Sequence, residues 1–286
     1  MVIRSVSEDF RFANQHFNEL SRRKKIAIYF LIVFVPLALI ALQLLVLGVI
    51  PPDFTAKYII LNFGNPSISG MFASCYVHTV PVDHLMSNFG TYIGTMFTLV
   101  MWYFVLIPIF KRKGYLKLEY SDAAFFANAA LILLVVPFAV SGISILFGRQ
   151  MHWQSTLGFS GIAWAFVAYF VFLFLKMGYD KAIFNILKKK QNDPSGESIE
   201  GAIGNAIILL IIFSVMGVII PAYAILFDIG TSRINVFGHF GGFTVGLLVT
   251  ASTTLAYETH ERKVQIAMIV LLAVVVITSA CAWMVL

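Results

Sequence analysis

The stretch Ile26–Ile50, IAIYFLIVFVPLALIALQLLVLGVI, decides the class of this protein, because it runs for 25 residues without a charge. A helix rises about 1.5 Å per residue, so roughly 20 apolar residues cross the hydrocarbon core of a bilayer. The run is too long for the apolar region of a secretory signal and lacks a small-residue cleavage site, so it reads as a span. Working outward, six further runs have the same character: near His84 to Phe110, Asp122–Phe147, Phe159–Leu175, Gly201–Phe227, Gly238–Tyr257 and Val264–Leu286. The composition agrees, with 59% hydrophobic and 12% charged residues and a mean hydropathy of +0.88. Soluble domains carry about twice that charged fraction. The expected fold class is therefore an all-α, polytopic membrane helix bundle with the lipid bilayer as its solvent.

Charge placement orients the chain. Of the 20 Lys and Arg residues, 17 fall before the first run or in the second, fourth and sixth connections; only Lys57, Arg149 and Arg233 fall on the other side. Basic residues collect on the cytoplasmic side. The amino terminus is thus expected inside, and the net charge of +6 is a topology signal that implies no nucleic-acid partner. Residues 1–25 read as a cytoplasmic segment with a short amphipathic piece on the membrane, and residues 188–200 as a flexible loop. Pro51–Asp83, rich in Pro, Gly and aromatic residues, reads as a structured segment dipping partly into the bilayer. Cys75 and Cys281 are too few for a disulfide framework.

Polar groups inside spans are costly, and their placement carries the functional information. Three runs hold them, each at the outer end: His84 and Asn88 on the second, Gly158-Phe159-Ser160-Gly161 on the fourth, Gly238-His239-Phe240-Gly241-Gly242 on the sixth. The alternating topology puts all three clusters at a similar shallow depth. His84 and Asn88 are four apart and share a helix face, as do Ser160 and Trp164. Gly161, Ala165 and Ala168 form a small-residue stripe beside the serine, and His239, Gly242 and Gly246 follow i, i+3, i+7. Small residues let two membrane helices approach closely, which would bring Ser160 within reach of His239. A serine is a weak nucleophile until an adjacent base takes its proton. The backbone at the start of the fourth helix, the Asn88 amide and the His84 ring can supply oxyanion donors. Trp164 is placed to stack on the histidine ring, although the plain reading of such a residue is a lipid-interface tryptophan. No Asp or Glu lies well inside a run, so a Ser-His dyad is expected and a triad is not. The histidines have no carboxylate or cysteine arranged with them as metal ligands, and HExxH is absent, so neither metal nor cofactor is expected.

These residues resemble the rhomboid intramembrane proteases, whose pattern has HxxxN on the second span, GxSG opening the fourth and HxxxxxxG-type spacing with an intermediate glycine on the sixth. The chain matches all three as His84-Leu85-Met86-Ser87-Asn88, Gly158-Phe159-Ser160-Gly161 and His239 to Gly246 through Gly242. The resemblance covers about residues 26–257. It implies a six-span catalytic core, followed in 258–286 by a short loop and an extra carboxy-terminal transmembrane helix. It further implies Ser160 as nucleophile, His239 as general base, Asn88 and His84 with the Ser160 amide as oxyanion hole, and Gly158, Gly161, Trp164, Gly242 and Gly246 in support. The activity implied is cleavage of transmembrane segments of other membrane proteins near the outer surface; the bias of basic residues to one side fits a prokaryotic plasma membrane, with an organelle membrane as the alternative. A rhomboid-like pseudoprotease that binds membrane clients is the alternative. Two departures stand out. The first outer loop lacks the family's Trp-Arg pair, and His78 precedes His84 by six residues where the family has five, so no role is carried over to His78. The sequence does not set the oligomeric state.

Overall fold

The computed structural model describes residues 2–78, 82–116, 120–150, 152, 154–192 and 236–258. The expected fifth and seventh spans, most of the loop Asp228–Phe237 and nearly all of the segment 258–286 lie outside the described residues. In chain order the elements are α1 (Val2–Glu19), α2 (Arg22–Gly48), β1 (Leu61–Asn62), α3 (Ile68–Ala73), α4 (Leu85–Arg112, helical from Val82), α5 (Asp122–Leu134), α6 (Val136–Gln150), β2 (Ser155–Thr156), α7 (Ser160–Asn192) and α8 (Val236–Glu258). Helices α2 and α4, residues Ser160–Lys181 of α7 and Gly238–Glu258 of α8 are each long and apolar enough to cross a membrane, and α5 with α6 makes a fifth crossing if taken as one bent span. The chain is a helical, multi-pass integral membrane protein.

Helix α2 shows how the bundle is sided. From Ile26 on its sequence is almost wholly apolar, yet only one stripe is buried, with Ile28, Leu31, Val35, Leu39 and Val46 along it together with Pro36 and Gln43. Phe34, Leu37, Leu44 and Leu47 face outward. A lipid solvent allows this, because apolar side chains facing acyl chains need no cover.

Proline shapes three spans. Proline lacks an N–H and collides with the carbonyl four residues earlier. In α2 and α4 a π-helical turn precedes the proline: Phe30–Phe34 before Pro36 and Trp102–Leu106 before Pro108. There the Val35 and Ile107 N–H groups reach back to Phe30 and Trp102, and the helix continues. In the third span, expected as one helix over Asp122–Phe147, Pro137 is associated with a break into α5 and α6, which meet at 41°. The carbonyl that Pro137 cannot serve is that of Leu133, and the Tyr76 hydroxyl donates to it. A freed carbonyl at membrane depth needs such a partner.

The fourth helix exceeds its expected span of Phe159–Leu175 and continues for 33 residues to Asn192, so 188–192 is helix where a loop was expected. The segment after α2 is structured, as its composition suggested. A π turn, β1, α3 and a 3-10 turn follow one another, β1 pairs antiparallel with β2 just ahead of α7, and Arg149 Nε donates to Phe63 O at 2.7 Å. Residues 1–25 begin with α1, which turns Ala13 and Phe17 toward the bundle, followed there by Leu20 just past its end, and α1 is tied to the end of α4 by the Asp9–Lys113 ion pair.

Candidate active site

Helices α7 and α8 make the most extensive contact among the described elements. Its cause is a set of missing side chains. A Cβ placed on Gly242 would stand 2.0 Å from Gly161 O, and one on Gly246 would stand 2.6 Å from Ala165 Cα. The two backbones therefore touch, as membrane helices do at small-residue interfaces. Gly161 follows Ser160, and Gly238 precedes His239. A Cβ on Gly161 would lie 3.1 Å from Gly238 O. The residues flanking the serine and the histidine are thus in direct contact across the crossing. Ser160 and His239 are both buried, at 7% and 3% exposure. The Trp164 ring lies 6.0 Å from the His239 ring at an interplanar angle of 34°, and packs edge-on to Phe243.

Ser160 is the first residue of α7, where backbone N–H groups have no intrahelical partner. The turn leading into it is built from outside the helix. Gly158 has φ of +145°, a conformation that an L side chain rarely adopts. Its N–H donates to Ser74 O at 2.8 Å. The next N–H, of Phe159, donates to His78 Nε2 at 3.3 Å. The Phe159 ring is buried among Tyr76, Phe89 and Tyr92, which fixes the turn from the apolar side.

His78 joins this turn to the second span. Asn88 Nδ2 lies 2.9 Å from the same Nε2. A backbone N–H can only donate, so Nε2 must accept from Phe159 and carry no proton. It follows that Asn88 presents its NH₂ to His78, which fixes the amide's orientation. The His78 backbone is held in turn by Gln43 on α2: His78 N donates to Gln43 Oε1 at 2.8 Å, and Gln43 Nε2 donates to His78 O. His78, Asn88 and Gln43 are all buried. His84 falls on the first turn of α4, and its side chain lies outside the described residues.

A small cavity of about 20 Å³ adjoins Ser160, lined on its polar side by Ser74, Cys75, Ser141, Ser144 and Thr156. That is roughly the room one water needs, with the polar partners a buried water requires. No carboxylate lines it. Burial pushes the Cys75 thiol up to about 11, so it stays protonated here. Charges appear further down the pair, where Lys176, midway along α7, pairs with Glu258 at the end of α8 at 3.1 Å.

The structure thus brings Ser160, Gly158, Gly161, Trp164, His239, Gly242 and Gly246 to one helix crossing, with Asn88 reaching that turn through His78. Sequence reasoning left His78 without a role and passed over Gln43. A lone polar side chain inside an apolar run was the available signal for Gln43. No protein-family model matches the chain, and neither does any curated protein or solved structure.

Proposed function

We propose that this chain is an intramembrane serine protease of the rhomboid type, with a six-span catalytic core and one further carboxy-terminal span. The carrying observation is the α7–α8 crossing, where Gly161, next to the buried Ser160, meets Gly238 and Gly242, which lie beside the buried His239 in sequence. A transmembrane segment of another protein enters from the lipid, unwinds locally and offers a peptide carbonyl. His239 takes the Ser160 Oγ proton as Oγ attacks the carbonyl carbon. The C–N bond then breaks, and the leaving amine takes that proton from His239. A water, deprotonated by the same ring, attacks the acyl ester and restores the serine. Developing charge on the carbonyl oxygen is met by N–H groups at the start of α7 and by the Asn88 amide. His78 acts as a positioning residue that aims that amide, and Trp164 holds the His239 ring. By charge placement the amino terminus is cytoplasmic and the site opens to the outer face of a prokaryotic plasma membrane.

The test combines two measurements on the full chain in micelles. A fluorophosphonate probe is expected to label Ser160, and Ser160→Ala and His239→Ala are each expected to abolish both labelling and cleavage of a reporter transmembrane substrate. Cleavage retained by Ser160→Ala would remove the protease reading. An inactive, client-binding relative lacks the family's catalytic competence and predicts no labelling of the unaltered chain.

A further inference from the structure

A much larger cavity lies at the opposite, basic end of the bundle, between α1 and the end of α4. It measures about 400 Å³, and its walls include Phe12, Tyr103, Phe104 and Ile107. Its polar rim is made mainly of donors. Lys111, Arg112 and His16 border it. Neither Lys111 nor Arg112 pairs with a carboxylate among the described residues; each lies over a ring, Lys111 over Tyr120 at 5.3 Å and Arg112 over Phe12 at 4.6 Å. The one carboxylate in the wall, Asp122, is already bonded to Lys24. Two tyrosine hydroxyls also reach the cavity wall. The Tyr103 hydroxyl belongs to a side chain only 5% exposed; its one neighbouring acceptor is the Asp122 carboxylate, already engaged by Lys24, and the two make no well-formed hydrogen bond. The Tyr120 hydroxyl is likewise buried and without a hydrogen bond.

A buried hydroxyl without a partner costs free energy, so its presence at a cavity points to an acceptor that the cavity takes up. An anionic acceptor fits, because Arg112 has no carboxylate partner among the described residues and Lys111 has only the more distant Glu258, itself paired with Lys176. The acceptor must also tolerate apolar walls and lie where a bilayer surface meets the bundle, since α4 ends at Arg112 and α1 packs across that end. We propose that this cavity binds the phosphate headgroup of an anionic phospholipid from the leaflet on the basic side, with Lys111 and Arg112 supplying the charge and Tyr103 a hydrogen bond. The acyl chains run along the apolar wall toward the bilayer. Interfacial basic pockets between membrane helices select such headgroups on the same grounds. The inference is independent of the protease reading.

The experiment is lipid retention by the full chain in detergent, followed by native mass spectrometry with dioleoyl phosphatidylglycerol and dioleoyl phosphatidylcholine. One phosphatidylglycerol molecule is expected to be retained in clear preference to phosphatidylcholine. The double variant Lys111→Ala with Arg112→Ala is expected to weaken retention by about 25-fold, from roughly fivefold per interfacial charge. Arg22→Ala with Arg23→Ala removes the same charge from exposed positions outside the cavity and should leave the preference in place. Tyr103→Phe keeps the ring and its packing, and should weaken retention severalfold; it carries the test if the double variant fails to insert. Equal retention of both lipids, or equal losses in the two double variants, overturns the proposal. So does displacement of the lipid by inorganic phosphate at equal concentration, which would mark a site for a free anion.

Discussion

Replacing Gly242 by alanine tests the crossing on which the site depends. The added methyl would stand 2.0 Å from Gly161 O and 2.7 Å from Gly161 C, both backbone atoms that no rotamer change can move. Since real Cβ contacts essentially never fall under 3.0 Å, α7 and α8 must part by about 1 Å at this level. Overpacking of this kind costs roughly 1–3 kcal/mol. A misplacement of about 1 Å between reacting groups costs roughly 100-fold in rate. Gly242→Ala is therefore expected to lower cleavage of a reporter transmembrane substrate about 100-fold and to lower the thermal unfolding midpoint in micelles. Gly241→Ala is the matched control, because its methyl would stand 2.9 Å from Ile143 Cδ1, the mobile tip of a side chain. That variant should stay within about threefold of the unaltered chain. Unchanged cleavage and unchanged unfolding in Gly242→Ala would refute the close-crossing argument. Unfolding lowered alike in both variants would show that backbone contact is not what makes position 242 special.

Two further outcomes follow from the surroundings of the site. Gln43→Leu strips both the N–H and the carbonyl of His78 of their partners in a buried place; at about 1–3 kcal/mol for each orphaned group, stability should fall by at least about 2 kcal/mol in denaturant unfolding, and a change below about 0.5 kcal/mol would sink the bonding scheme. Cys75 has its acidity weakened by burial, from 9.0 to about 11, so the folded state binds the proton more tightly than the unfolded chain. The stability this contributes is full below about pH 9 and is lost as pH rises toward 11. In a Cys281→Ser background, iodoacetamide at pH 8 should therefore alkylate Cys75 only on unfolding, and rapid alkylation of the folded chain would contradict its burial.

The sequence by itself determined that this is a multi-pass helical membrane protein, because a bilayer demands apolar runs of near-fixed length and penalises charge within them. Gln43, Ser160 and His239 are conspicuous in the sequence for the same reason. Composition marks where the membrane ends, however, and does not mark where a helix ends. Residues 176–192 are charged yet contain good helix formers, so α7 runs on past the expected limit at Leu175 until just before Pro194. Pro137 is legible as a disturbance of the third span, but the bend and the Tyr76 hydroxyl that serves Leu133 come from a segment some 57 positions away. His78 illustrates the same divide. Its spacing from His84 says nothing of its bonds to Asn88 and Phe159, since these depend on a loop held by Gln43 from another helix. Backbone contact at Gly161 and Gly242 was only a possibility in a small-residue stripe. Which stripe meets which, and at what depth, is fixed by packing among helices far apart in the chain, and only the tertiary structure decided it.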